Sequence, residues 1–381
     1  VTPPIDAPTP LLGGLSPAAF MRRHWQRKPL LVRQALPGVT PPLPRAALFA
    51  LAARDDVESR LVVRDGARWT LRHGPLPRRA LPPLAQPRWT LLVQGLDTHV
   101  DAAHALLARF RFVPQARLDD VMISYATDGG GVGPHVDSYD VFLVQVYGRR
   151  RWRWGPVADA SLVPGVPLKI LRRFTPEQDE VLEPGDLLYL PPGWGHDGVA
   201  VGECMTCSVG FRAPRHDELL RELLQRLADH VDDDARLYRD PGQRATPTPG
   251  EVPAALSVHA RARLQTLLRE PQRLDAALGE WLSEPKPHVW FAPAGAWRPG
   301  QALRLDRRTR MLYDARHLFV NGESFRAGGR DARLLRRLAD VGRLDAEHTA
   351  RLSPEAAALV ADWVAAGWLH PDDAQAAGGA R

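Results

Sequence analysis

The stretch from Gly133 to Gly155, GPHVDSYDVFLVQVYGRRRWRWG, decides how the chain is read. His135 and Asp137 stand two residues apart in a strand-like run, so their side chains leave the same face. An imidazole nitrogen and a carboxylate oxygen then reach one point, and a second histidine would complete an open-sided Fe(II) site of two histidines and one carboxylate. His196 is the supplier, since it follows a strand and a Pro/Gly turn in PGDLLYLPPGWGH. A lone His-x-Asp is weak evidence, and a surface or satisfied core pair is its ordinary meaning. Three features strengthen the metal reading. His196 arrives about sixty residues later at a strand end, where a jelly-roll barrel would place it. The glycines of GGGVG precede the pair, where backbone must approach a ligand closely. A second strand follows the pair and carries Arg149, Arg150 and Arg151.

Alternation sorts these arginines. With Gly148 making the turn, Arg150, Trp152 and Trp154 share one face while Arg151 and Arg153 share the other. The tryptophan face points into a barrel, which makes Arg150 the inward cation. A buried guanidinium needs an anion. The dicarboxylate cosubstrate of a non-heme iron oxygenase would supply one; an internal acid such as Asp186 is the alternative.

Four runs carry a resemblance: LLGGLSPAAFMRRHWQRKPLLVRQALPG from Leu11, GGGVGPHVDSYDVFLVQVYGRRRWRWG from Gly129, PGDLLYLPPGWGHDG from Pro184 and SVGFRAP from Ser208. Through them the chain resembles the bacterial JmjC-type ribosomal oxygenases of the cupin superfamily, which hydroxylate an arginine of a large-subunit ribosomal protein. The resemblance implies an α+β chain. A double-stranded β-helix (jelly-roll, JmjC cupin) barrel over 1–213 would be followed by a helical dimerisation region over 214–284 and a winged-helix-like domain over 285–381. It implies Fe(II) on His135, Asp137 and His196, with 2-oxoglutarate and O2 as cosubstrates and Arg150 on the far carboxylate. Ser208 and Ser124 are candidates for further cosubstrate contacts, although a hydroxyl in a strand as readily bonds to backbone. The target arginine calls for a carboxylate and an aromatic face, for which Asp128 and Tyr147 are the candidates. The implied product is an arginine hydroxylated at its β carbon; a ribosomal-protein histidine or a methyl-lysine is the alternative target.

Composition agrees with a globular enzyme. At 381 residues, two or three domains are expected. No apolar run approaches the ~18 residues of a membrane span, and VTPPIDAPTP has neither the charged nor the apolar region of a signal peptide. A cytoplasmic protein with no membrane partner is expected. Cys204 and Cys207 form a C-x-x-C within a strand-like run, where they point to opposite faces, so free buried thiols are expected. The net charge is +6, yet Asp119 to Gly148 holds Asp119, Asp120, Asp128, Asp137 and Asp140 and no Lys or Arg. Such an acidic mouth would suit a cationic substrate.

Along the chain, residues 1–10 are Pro-rich and read as loosely ordered. Ser16 caps a helix, KPLLVRQA and RWTLLV are strands, Asp65-Gly66 turns a hairpin, and Asp97 to Phe110 reads as a helix. Short strands between Gly/Pro turns favour the barrel over an α/β sheet, and no nucleotide-binding motif occurs. After Pro214 the residues Leu219, Leu220, Leu223, Leu224, Leu227 and Val231 recur at helical spacing in two columns, wider than one neighbour requires. Amphipathic helices are expected over Val252 to Leu268 and Gln272 to Leu282, and a homodimer through this region is the expectation. Asp232 to Asp234 reads as a solvated turn, and His216, His230, His259 and His348 show no metal-ligand spacing. Further on, Asn321-Gly322 turns a hairpin and Ser353 caps a helix running to Trp368. That helix has no Lys or Arg, so DNA binding through it is not expected. The competing class is a catalytically silent cupin joined to a winged helix as a nucleic-acid-binding module.

Overall fold

In a computed structural model the described residues are 4–229, 231 and 235–372. They form two compact units, Val1–Ala213 with Pro287–Trp290, and Pro214–Lys286 with Phe291–Arg381. No helix among them is long and apolar enough to cross a membrane. His230 and the Asp232 to Asp234 run lie outside the described residues.

The first unit contains helices α1 (Pro17–Arg23), α2 (Arg45–Ala52) and α3 (Asp101–Ala108) and ten strands. These are β1 (Leu30–Val32), β2 (Ser59–Asp65), β3 (Arg68–His73), β4 (Trp89–Val93), β5 (Leu118–Ala126), β6 (His135–Val136), β7 (Asp140–Gly155), β8 (Gln178–Leu182), β9 (Leu187–Leu190) and β10 (Gly195–Phe211). They join in the order β1-β9-β7-β10-β5-β4-β2-β3, with β6 on β10 and β8 on β7. Every pairing is antiparallel. The antiparallel order agrees with the jelly-roll architecture expected from the sequence. Ser16 caps α1, its hydroxyl accepting from the Ala19 amide at 3.2 Å. Residues expected to be loose are pinned: the Ala18 amide donates to the Ile5 carbonyl and the Thr9 amide to the Leu15 carbonyl. The helix expected over Asp97 to Phe110 is instead a 3-10 turn, Leu96–Thr98, followed by the shorter α3.

Cross-strand partners share a face, so the registers divide the sheet. One face, carrying Leu91, Val93, Val121, Ile123, Phe142, Val144, Cys207 and Val209, packs into the main core with α1 to α3. The other lines the interior. There Gln94, Met122 and Ser124 stand in rows that continue through Thr206 and Ser208 to Gln145 and Leu143. Cys204 and Cys207 are buried, unpaired and in different clusters.

Gly148 does not turn the chain. β7 runs unbroken through it at φ +60°, opposite Gly202 to Cys204 of β10, and just before it Val146 and Tyr147 together oppose Met205, a bulge in β7 where the register to β10 shifts. A bulge adds one residue to one strand and reverses which residues face inward. Val141 and Leu143 therefore share a cluster with Trp152 and Trp154, while Phe142, Val144 and Val146 pack on the opposite side. The buried Gln145 braces the bulge, its Nε2 donating to the Tyr147 and Gly148 carbonyls at 2.8 and 3.1 Å. A Cβ at Gly148 would lie 2.0 Å from the Glu203 carbonyl oxygen.

In the second unit α4 (His216–Asp229) packs on α6 (Pro271–Ser283), while α5 (Ala254–Leu268) buries no residue. On α4, Leu227 is buried but Leu220 and Leu224 remain 60% and 57% exposed, so one apolar column is uncovered among the described residues. Strands β11 (Leu303–Leu305), β12 (Met311–Tyr313), β13 (His317–Val320), β14 (Glu323–Arg326), β15 (Arg343–Leu344) and β16 (Leu369–Pro371) form two three-stranded sheets. Helices α7 (Gly329–Val341) and α9 (Pro354–Ala365) share their core, and the short α8 (Ala346–Thr349) lies between them in the chain. The β13–β14 hairpin turns at Asn321 and Gly322, both with positive φ. Ser353 caps α9, accepting from the Ala356 amide at 3.2 Å.

Replacing Gly148 by Ala combines left-handed backbone with a backbone clash and should destabilise the protein by on the order of 2 kcal/mol or more. Chemical denaturation of Gly148→Ala beside the parent measures it; equal midpoints would show that this position tolerates a side chain.

Candidate functional site

His135 lies on β6 directly opposite His196 at the start of β10. Their ring centroids are 4.2 Å apart. Each Nδ1 faces a carbonyl on its own segment, Gly133 for His135 at 2.9 Å and Trp194 for His196 at 3.1 Å. Those bonds fix the tautomer that carries its proton on Nδ1 and leaves Nε2 as the free donor atom. Both Nε2 atoms approach Asp137, at 3.8 Å from Oδ1 and 3.5 Å from Oδ2 respectively. The three residues offer ligand atoms within 4.8 Å of one another, and no other such group occurs among the described residues.

The electrostatics suit a divalent cation. Burial, with the neighbouring His196, holds the His135 imidazole below its usual pKa and so neutral, as a ligand must be. Burial opposes charge on Asp137, yet the hydrogen bond and charge of His196 keep its carboxyl below the carboxylate range. Burial also lowers His196, but Asp137 outweighs it and the imidazole ends above its ordinary value. The Asp137 carboxylate thus favours positive charge at the position where a metal would bind both residues.

Arg150 is 4% exposed and projects to the interior. In register Arg150 pairs with Ala200, Trp152 with Gly198 and Trp154 with His196, so the guanidinium and the triad stand on one face. The Trp152 ring lies between them, 5.8 Å from the guanidinium carbon and 6.0 Å from the His196 ring. Gly198 leaves room for that ring, since a Cβ there would lie 2.7 Å from it. Arg150 Nη1 donates to the Ser124 hydroxyl at 3.1 Å, whereas Nε and Nη2 have no hydrogen-bond partner. Asp186 is not the counter-ion: its oxygens accept from Arg33 at 2.7 Å and from the Gln34 and Glu183 amides. Leaving a buried donor unpaired costs about 1–3 kcal/mol. A carboxylate entering the interior would satisfy both nitrogens, so the residues present fit a dicarboxylate cosubstrate as well as a metal.

The remaining candidates fall into different positions. Ser124 braces Arg150 and donates to the Thr206 carbonyl at 3.3 Å. Ser208 is buried one row further along the interior face, opposite Met122. Tyr147 is exposed at the bulge, and Asp128 is exposed with Oδ1 accepting from the Gly202 amide at 2.8 Å. The glycines before the triad approach strands rather than a ligand: a Cβ on Gly130 or Gly131 would lie 2.5 Å from the Trp89 or Gly198 carbonyl oxygen.

The acidic mouth is largely absent. Asp140 is buried against Tyr189 and Gln26, Asp120 against Gln94 and the Gly95 amide, and Asp119 pairs with Arg212 at 3.4 Å. Of the five aspartates Asp137 alone belongs to the metal-ligand group. The sequence reading also missed a cation on the interior face, Arg60 of β2, whose Nη2 meets Gln94 Oε1 at 3.2 Å and Met122 Sδ at 3.7 Å. Its signal was an arginine in an apolar strand, SRLVVRD, at a position alternate to the core residue Leu61.

Comparison with known proteins agrees with this geometry. A JmjC domain family model matches residues 105–219, and a ROXA-like winged-helix model matches residues 262–370. The ribosomal protein uL16 3-hydroxylase of Escherichia coli (strain K12) is 34% identical over 82% of this chain and 86% of its own length. The probable ribosomal oxygenase of Haemophilus influenzae is 39% identical over 54% of this chain and 52% of its own. The solved structure of YcfD, a ribosomal oxygenase from Escherichia coli, in complex with cobalt and 2-oxoglutarate aligns with a TM-score of 0.79 at 32% identity. It covers 93% of this chain and 98% of that one.

Alanine at His135 or at Asp137 should weaken Co(II) binding about a hundredfold or more, since each removes a ligand outright. Calorimetric titration with Co(II) reads this directly. Parental affinity in either variant would place the metal elsewhere.

Proposed function

Because the chain belongs to the JmjC-domain ribosomal oxygenases that carry a ROXA-like winged helix, we propose that it hydroxylates an arginine side chain of the large-subunit ribosomal protein uL16 at the β carbon. It is an Fe(II)- and 2-oxoglutarate-dependent dioxygenase. The observation that carries the reading is the joint placement, on one interior face, of a three-ligand cluster and a buried arginine with two unpaired nitrogens.

His135, Asp137 and His196 would hold the metal. When bound with 2-oxoglutarate and O2, the iron supplies the oxidant that inserts one oxygen atom into an unactivated C–H bond, with succinate and CO2 as the other products. The chain's own groups bind and orient. Arg150 receives the far carboxylate through Nε and Nη2 while Ser124 holds Nη1, which fixes the plane of the guanidinium. Trp152 separates the two anchors and keeps water from the space between them. Ser208 stands on the same wall as a further contact to the cosubstrate. Three protein ligands would leave further positions on the metal for cosubstrate and O2.

For the substrate, Tyr147 offers an exposed aromatic face to a guanidinium, and Asp128 a carboxylate whose Oδ2 is left over after Oδ1 binds the Gly202 amide. The uncovered Leu220 and Leu224 column of α4 and the unburied α5 support a homodimer through the helical region. A ribosomal substrate points to the cytoplasm. The winged-helix-like part is not read as a DNA reader, because α9 carries no cation for phosphate.

Incubation of the protein with Fe(II), 2-oxoglutarate and uL16 should add a single oxygen to one arginine, read by tandem mass spectrometry; an oxygen on histidine would move the target class. Arg150→Ala should raise the half-saturating 2-oxoglutarate concentration about tenfold or more, the loss of one charge-assisted pairing. An unchanged value would assign the carboxylate to another cation. Separately, Leu220→Glu with Leu224→Glu should halve the mass measured by light scattering, and an unaltered mass would remove this face from the interface.

A further inference from the structure

The interior face carries a second guanidinium, and nothing in the metal and cosubstrate chemistry uses it. Arg60 pairs in register with Leu92, which pairs with Ser124, so it stands in the row that ends on the Arg150 brace. Its side chain follows that face, because Nη2 contacts Met122 Sδ at 3.7 Å and Gln94 Oε1 at 3.2 Å. Gln94 is itself oriented: its Nε2 donates to Asp120 Oδ2 at 2.7 Å, which turns the amide oxygen toward Arg60. Asp120 is buried and also accepts from the Gly95 amide at 2.8 Å. The amide thus stands between the acid and the guanidinium. Arg60 is held by a neutral acceptor and a thioether, and no carboxylate of the described residues forms an ion pair with it. A half-buried, un-neutralised guanidinium on the interior face is a donor awaiting an acceptor oxygen.

We propose that Arg60, oriented by Gln94 and Asp120, is a substrate-binding residue that donates to an acceptor oxygen of the substrate segment next to the residue being hydroxylated. The acceptor is a main-chain carbonyl or a side-chain carboxylate; both present the oxygen that a guanidinium recognises. The site therefore holds its peptide at two points: the target side chain over the metal, and an oxygen of the flanking chain on Arg60. A cation in this position also disfavours a second basic residue there, so Arg60 sets which arginine of a basic segment enters.

The inference rests on the oxygenase reading, and the test separates the two. Parent, Arg60→Ala, Arg60→Lys and Gln94→Met proteins are loaded with Fe(II) and 2-oxoglutarate and assayed on a uL16 peptide. Binding of the same peptide, fluorescently labelled, is measured on the Co(II)- and 2-oxoglutarate-loaded proteins. Arg60→Ala should raise both the peptide KM and the peptide Kd about tenfold or more, with kcat and the KM for 2-oxoglutarate within about twofold of the parent. Arg60→Lys should recover part of the loss, and Gln94→Met should give a smaller rise, because the guanidinium remains but is no longer held. A rise that shrinks with added salt identifies a carboxylate acceptor, and one that persists identifies a carbonyl. Unchanged peptide Kd and KM in Arg60→Ala overturn the inference alone. A higher KM for 2-oxoglutarate instead overturns it by making Arg60 a cosubstrate anchor. A parent that binds the peptide but never hydroxylates it overturns the oxygenase reading while the binding arm still decides on Arg60. A parent that does neither overturns both.

Discussion

A β-strand shows alternate residues to a given face, and β7 has to show both Leu143 and Arg150 to the same one. Seven positions separate them, an odd number that strict alternation forbids. A bulge at Val146 and Tyr147 resolves the conflict by adding one residue to β7, and Gly148, which follows it, is held from both sides. Gln145 caps the Tyr147 and Gly148 carbonyls from within, and the backbone near Glu203 closes over the place where a Cβ would stand. Before the bulge the strand builds the packed core; after it the strand builds the site. The inward aim of Arg150, the wedge of Trp152 and the row that ends at His196 all follow from this single insertion.

This is also where sequence reading and structure part. Alternation from Arg150 to Trp154 was legible because it is local: Trp152 and Trp154 flank Arg153 and mark the face that Arg150 shares. The same alternation run backwards past Tyr147 gives the wrong face for Leu143, and a glycine between two runs reads as a turn just as well as the neighbour of a bulge. Only the partner strand tells them apart, since β10 continues alongside β7 across the glycine. The ligand set was legible for the same local reason at His135 and Asp137, and through the strand-turn pattern before His196. The split helix at Asp97 was not. There the Asp97 carboxylate accepts from the Val121 amide at 2.8 Å, a long-range bond that holds a 3-10 turn where periodicity alone suggests a continuous helix.

Charge counting was the weakest guide. Five aspartates without a nearby basic residue in sequence read as a negative surface, but their partners come from far away in the chain: Gln26 and Tyr189 for Asp140, Gln94 for Asp120, Arg212 for Asp119. Buried carboxylates are retained only with donors around them, so an acidic run in a barrel strand more often marks internal bracing than an attractive mouth. The two groups on the interior face that lack an acidic partner are instead guanidiniums, Arg150 and Arg60. Two such guanidiniums suit oxygen acceptors: the cosubstrate carboxylate proposed for Arg150 and the peptide oxygen proposed for Arg60.

The central claim is that one interior face holds a metal and a dicarboxylate between the His135, Asp137, His196 cluster and Arg150. A crystal structure of the protein with Co(II) and 2-oxoglutarate tests it most directly. The account predicts metal on the two Nε2 atoms and the Asp137 carboxylate, with the far carboxylate of 2-oxoglutarate on Nε and Nη2 of Arg150. A dicarboxylate bound to any other cation, with Arg150 still unpaired on those nitrogens, would contradict it.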